Sequence, residues 1–255
     1  MRVAILLALF VATVAGLPQQ RIIGGTETDI AAHPYAAALL LYDYESGSYA
    51  QQCGGAIINN RSILTSINCI TNVDVARYWR ARLGSSLASS GGIIYTVNRF
   101  IVHPNFDRFN SDNDIAILRT TSTISYGATV SPIAIAGRGY NVNDNSPVTL
   151  VGWGAVRYEG ERSNQLLKAD MKTINQKFCR DNYNIISMEV TSNMQCAGQL
   201  EGGADFCEGD IGNPLVHNNV LIGIASWRTP ICGRANYPGV YTRINRYTAW
   251  VQSNA

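Results

Sequence analysis

The sequence predicts an all-β protein, a sandwich or a pair of barrels. Three observations carry that prediction. Short apolar or alternating runs recur along the chain, clusters of Gly, Asn, Ser and Pro separate them, and only the C-terminal segment carries a convincing helical pattern. In order, the runs are YAAALLLY (35–42), GGAIIN (54–59), IIYTVNRFIV (93–102), DIAILR (114–119), VTLVGWG (148–154) and VLIGIASW (220–227). The terminal segment YTRINRYTAWVQSNA places Ile244, Tyr247, Trp250 and Val251 on one face at helical spacing. No repeat, low-complexity tract or linker longer than a loop interrupts the series.

The 255 residues, 46% apolar and 15% charged, suffice for one large or two small cored domains. Residues 1–16 follow Arg2 with an apolar run from Val3 to Val11 and small residues near Ala12 and Ala15, the pattern of a secretory signal peptide. The run is too short for an anchor and no later stretch suits a membrane span, so a secreted, extracellular protein is expected. In an oxidising compartment the six cysteines suggest disulfides, although six allow 15 pairings. With no C-x-x-C pair and only three histidines, no zinc site is expected, nor any cofactor. Without Arg2 and Arg21, 18 basic residues face 18 acidic ones, which argues against nucleic acid or an acidic membrane as partner. The basic residues are 17 Arg and 3 Lys (Lys168, Lys172, Lys177). That bias would hold positive charge at high pH, and compositional drift explains it equally well.

Seven motifs, RIIGG (21–25), CGGAIINNRSILTSINC (53–69), NDIAILR (113–119), LVGWG (150–154), CEGDIGNPLV (207–216), GIASW (223–227) and PGVYTRI (238–244), occur in the order and spacing of the trypsin-like serine proteases. The chain resembles that family from residue 21 to 255. The resemblance implies two antiparallel six-stranded β-barrels with a C-terminal helix and a cleft between the barrels. It implies a signal peptide (1–16), a short propeptide (17–21) and a protease domain (22–255), with disulfides Cys53–Cys69, Cys179–Cys196 and Cys207–Cys232. It further implies activation by another protease cutting after Arg21, which frees the Ile22 amine to pair with Asp210. A buried pair of that kind costs about 3–5 kcal/mol when one partner is removed.

In the family a serine nucleophile, a histidine base and a buried aspartate do the chemistry. The aspartate position is Asp114. The histidine position is Asn68, whose amide has no basic lone pair but can donate a hydrogen bond to Asp114. The nucleophile position is Ile211, which has no reacting atom. Asn213 replaces a glycine after Gly212, and the oxyanion-hole donors would be the N–H groups of Gly209 and Ile211. His33, His103 and His217 read as solvated loop residues, and Ser66 and Ser226 lack a neighbouring base. The tryptic pocket maps to Asp205 at its floor and Gly239 on its wall. Arg228 stands where a glycine lines its entrance, and Phe206 where a small hydroxyl residue follows the aspartate. Arg228 is expected to cover or enter the pocket and turn toward Asp205, the alternative being extension into solvent. No Asp or Glu lies between Asp74 and Asp107, so the family's calcium loop is not expected to bind metal. The sequon at Asn60 could carry a glycan if exposed.

With no competent catalytic residue at positions 68 and 211, the reading drawn from the sequence is a secreted, monomeric, non-catalytic serine protease homologue that binds a protein or peptide. The alternative is an active secreted trypsin-like endopeptidase.

Overall fold

The computed structural model describes residues 25–255, and the first element among them is strand β1 (Thr26–Glu27). The expected signal peptide, the propeptide and Ile22 lie outside the described residues. Strands β2 (Ala36–Asp43), β3 (Ser48–Asn59), β4 (Ser62–Thr65), β5 (Trp79–Leu83), β6 (Ile93–Val102) and β7 (Ala116–Thr120) close into an antiparallel barrel in the order β2-β3-β4-β7-β6-β5. After the short β8 (Ala134–Ile135) come β9 (Pro147–Gly152), β10 (Leu167–Ile174), β11 (Met194–Gly198), β12 (Pro214–His217), β13 (Val220–Trp227) and β14 (Gly239–Arg243). These six form a second antiparallel ring, β9-β10-β11-β14-β13-β12, with β1 added on β10 and β8 on β13. Closure gives each ring's backbone donors and acceptors partners on both sides.

The unbroken apolar run in β2 has a definite cause. Ala37 and Leu39 join Ile57, Ile63, Trp79 and Leu118 inside the first barrel, whereas Ala36, Ala38 and Leu40 face the larger core that includes the second barrel. Because successive side chains of a strand point to opposite faces, a strand buried on both faces must be apolar throughout. In β6 the alternation survives: Tyr95 and Val97 are buried and Thr96 is exposed.

Among the described residues three α-helices punctuate the strands: α1 (Ile67–Ile70), α2 (Gln176–Ile185) and α3 (Thr248–Asn254). The helical pattern at 241–255 is divided. Its first residues finish β14, a 3-10 turn occupies Ile244–Arg246, and the α-helix proper is seven residues long. Helix α2 adds to the single helix expected. It is N-capped by Asn175, whose side chain accepts from Phe178 N–H at 3.0 Å, and buries Cys179 and Tyr183 one turn apart. Disulfides join β3 to α1 (Cys53–Cys69), α2 to β11 (Cys179–Cys196) and two loops of the second barrel (Cys207–Cys232), with Cα separations of 6.0, 6.5 and 5.4 Å.

Candidate active site

Ile211 packs against the cores of both barrels, which places the candidate site at their junction. Its carbonyl accepts from Gly54 N–H at 2.9 Å, and Thr65 Oγ1 donates to Gly54 O at 2.8 Å, so the loop is tied to β3 and β4.

Asp114, fully buried ahead of β7, is held by an exhaustive set of donors. Ser66 Oγ and Ser226 Oγ each donate to Oδ2 at 2.6 Å, and Asn68 supplies its N–H to Oδ1 and its Nδ2 to Oδ2, both at 3.0 Å. Burial pushes this carboxyl above its ordinary range, and the hydrogen bonds from Ser226, Ser66 and the backbone pull it back. Asn68 Nδ2 also reaches Ser111 Oγ at 3.0 Å. The amide therefore orients and satisfies the acid, but it has no lone pair with which to take up a proton. Ser66 and Ser226 are committed to the same carboxylate. None of the three histidines bonds to it. His33 meets Tyr35 OH at 3.1 Å, His103 packs on the rings of Tyr247 and Trp250, and His217 meets Tyr140 OH at 2.8 Å. They are half-buried against aromatic rings, not solvated loop residues as the sequence suggested: His33 meets Tyr35 two residues on, whereas the rings beside His103 and His217 come from distant parts of the chain.

The loop from Asp205 to Asn213 is shaped by Gly209 (φ +90°) and Gly212 (φ +85°), in a region closed to most side chains. Among the described residues, neither Gly209 N–H nor Ile211 N–H donates to a protein acceptor. Gln51 Nε2 fixes the loop by donating to Gly209 O at 2.8 Å, and Arg162 lies against Gly209, its Cδ 2.9 Å from where a Cβ would stand.

Asp210 is likewise enclosed. Gly154 N–H and Asn213 Nδ2 donate to Oδ1 at 2.8 and 2.7 Å, and Cys207 N–H donates to Oδ2 at 3.0 Å. Burial raises its pKa to about 6. The carboxamide of Asn213 fits between the two barrels because its neighbours are glycines. A Cβ on Gly54 would lie 1.5 Å from Asn213 Oδ1, and one on Gly152 would lie 1.7 Å from Nδ2.

Asp205, 2% exposed, accepts from Phe206 N–H at 2.8 Å and Gly233 N–H at 3.0 Å. Desolvation pushes it up to about 7, against the pull of those two donors and of Arg228. Gly239 is required beside it, since a Cβ there would meet Asp205 Oδ1 at 2.4 Å and the Phe206 ring at 2.6 Å. The Phe206 ring itself packs edge-on against Tyr241 in the barrel core, with centroids 5.3 Å apart.

Arg228 corrects an expectation. Its guanidinium pairs with Glu208, and Nη1 donates to Thr229 O at 2.7 Å and Pro230 O at 2.6 Å, so it neither reaches Asp205 nor extends into solvent. The physical reason is relative desolvation: the Glu208 side chain is 41% exposed and carries charge cheaply, whereas Asp205 is enclosed. The Arg228 side chain is only 11% exposed, so the pair is a fixed feature of this rim. Glu208 was not singled out by sequence reasoning. Its signal was an acid three residues before Ile211, complementary to an arginine where the pattern has glycine.

Among the described residues the one grouping of metal-ligand type is Cys207, Glu208 and Cys232, and its sulfurs are joined to each other. Asn60 is exposed in the β3–β4 turn. No described helix is long and apolar enough to cross a membrane.

The family model described as Trypsin matches residues 22–251. The chain is 45% identical over 253 residues, 98% of each chain, to a protein named "Trypsin, alkaline C" from Manduca sexta. It is 46% identical over the whole of both chains to "Trypsin CFT-1" from Choristoneura fumiferana, and 39% identical over 92% of this chain to "Achelase-1" from Lonomia achelous. These likenesses correct the expectation of a non-catalytic homologue that acts by binding alone. That expectation rests on two side chains, Asn68 and Ile211, whereas proteins alike along the full length are named trypsins, which favours the endopeptidase reading. By its fold, its motifs and these full-length likenesses, the chain belongs to the trypsin-like serine protease family.

Proposed function

We propose that the chain acts on polypeptides as a secreted trypsin-like endopeptidase, released from its precursor by a cut after Arg21. The observation that carries this reading is the 45% identity over 98% of both chains with a protein named a trypsin. The site contributes an acid at the pocket floor (Asp205), a glycine that leaves room beside it (Gly239), two unpaired N–H groups suited to a developing oxyanion (Gly209, Ile211) and a buried carboxylate (Asp114). At positions 68 and 211 it supplies an amide and an alkyl group. Hydrolysis by this chain therefore runs without a hydroxyl–imidazole couple at those two positions, and its rate is the quantity to measure. An alkaline working medium suits the charges: Asp205 and Asp210 ionise fully only above about 7 and 6, and 17 of the 20 basic residues are arginine.

The test is to cleave the purified precursor after Arg21 and follow arginyl-peptide hydrolysis above neutral pH, alongside an Asp205→Ala variant prepared identically. Turnover that falls with Asp205→Ala supports the reading. Absence of turnover, or turnover indifferent to that variant, overturns it.

A further inference from the structure

A second constellation lies in the second barrel, built by the loop after β8 and the chain leaving β14. Arg138, Asn141, Arg243, Asn245 and Arg246 line a cleft of about 400 Å³, with no carboxylate among them. Arg243 is held in place by neutral acceptors, its Nε donating to Met194 O at 3.1 Å and its Nη2 to Gln176 Oε1 at 2.5 Å. Asn245 is anchored through Nδ2 to Tyr140 O at 2.9 Å. Arg138 and Arg246 are exposed, and none of the ion pairs among the described residues involves any of the three arginines.

Such a grouping is not a by-product of overall charge, since residues 22–255 carry 18 basic and 18 acidic side chains. The guanidinium groups oppose one another: burial and then the charge of Arg246 disfavour the charged form of Arg243, and Asp144 is the counter-charge that favours it. The Asp144 carboxylate is exposed and accepts from Asn175 Nδ2 at 2.7 Å. Convergent guanidinium groups offer planar forks of N–H donors, which match the paired oxygens of an oxyanion.

We propose that this cleft binds a tetrahedral oxyanion of the sulfate and phosphate class, either free or as a sulfate ester on a saccharide chain. Arg243 forms the fixed wall, and Arg138 and Arg246 close on the anion from the exposed side. The site is independent of the proteolytic reading, because none of its residues belongs to the cleft between the barrels.

The experiment is calorimetric titration of the full chain with sodium sulfate and, separately, with a sulfated disaccharide and its desulfated counterpart, at fixed ionic strength. One saturable site for sulfate or for the sulfated sugar is expected, with none for the desulfated sugar. Arg138→Ala and Arg246→Ala should each weaken binding about tenfold. Tighter binding of the sulfated sugar identifies the ester as the source, and equal binding identifies the free anion. Both side chains are exposed, so the thermal midpoints of the variants should match the parent and keep the comparison valid. Absence of saturable binding to either probe, or binding that survives the double substitution unchanged, would overturn the proposal.

Discussion

A small aryl amidine should bind at Asp205 with an affinity that climbs through neutral pH. The perturbation is pH itself, and the group that answers it is a carboxyl pushed up to about 7 by enclosure. An amidinium is attracted to the ionised carboxylate and gains little from the protonated form. At pH 5 about one carboxyl in a hundred is ionised if the pKa is about 7, so the dissociation constant should fall about a hundredfold between pH 5 and 9 and level off above 8. An aspartate at its ordinary value of 3.8 would give a flat profile over the same range. The assay is calorimetry at constant ionic strength on the parent and on Arg228→Gly. Arg228 lowers the pKa of Asp205, so removing it should move the midpoint upward, and unlatching Glu208 should strengthen binding at high pH. A profile flat from pH 5 to 9, or a midpoint that moves downward in Arg228→Gly, would refute the assignment.

Restoring the couple with Asn68→His and Ile211→Ser should raise kcat on arginyl esters by a factor on the order of 10⁴ or more, and each single change far less; a gain below about tenfold would mean that the loop geometry, not the missing atoms, limits the rate. Stability should also respond to pH with a definite sign. Asp205 and Asp210 are raised to about 7 and 6 from 3.8, so their favourable contribution is fully present below 3.8 and is lost as pH rises through 6 and 7. Urea denaturation between pH 4 and 8 should show that decline, and Asp205→Asn should flatten its upper part; an unchanged decline in the variant would count against Asp205 as its source. Replacing Asn213 by Asp sets a second carboxylate against Asp210, 2.7 Å from the present donor, and should destabilise by about 3 kcal/mol or more at pH 8 and much less at pH 5. Separating the Cys179–Cys196 pair should cost about 2–5 kcal/mol, read from the same denaturation curves.

Most of the barrel framework was legible because burial dictates residue type. The runs at 93–102 and 220–227 coincide with β6 and β13, and the run at 35–42 is offset from β2 by one residue at each end. Helix α2 was not legible: of its ten residues only Cys179 and Tyr183 are buried, too few to stand out as a stripe. At the site, the positions of Asp114, Asp205 and Asp210 followed from the motifs that resemble the trypsin-like family, whereas the distant donors that hold them, Ser226 for Asp114, Gly233 for Asp205 and Gly154 for Asp210, are brought up only by the fold. The pairing of Arg228 was not legible, because it depends on which of two carboxylates is the more solvated, and solvation is settled only by tertiary packing. The glycines at 54 and 152 gave no signal of their own either. Their role appears only when the Asn213 carboxamide is found between them.

The three buried aspartates differ chiefly in how completely the protein satisfies them, and that difference assigns their roles. A carboxylate can accept about four hydrogen bonds. Asp114 receives four from Ser66, Ser226 and both donors of Asn68, and so has no capacity to offer a substrate. Asp210 receives three, from Gly154, Cys207 and Asn213, leaving room for one further donor. Asp205 receives two, from Phe206 and Gly233, and enclosure raises it further than Asp210, to about 7 against about 6. Fewer donors at similar burial leave more desolvation uncompensated, so the charged form of Asp205 is the one that an incoming cation stabilises most. Substitution at positions 68 and 211 has left this ordering intact, since the amide of Asn68 takes up the donor's place beside Asp114 and Ile211 touches none of the three carboxylates through a polar atom. Cation recognition at Asp205 and bond-breaking at positions 68 and 211 are thus separable properties of this cleft, and the amidine profile and the double substitution measure them one at a time.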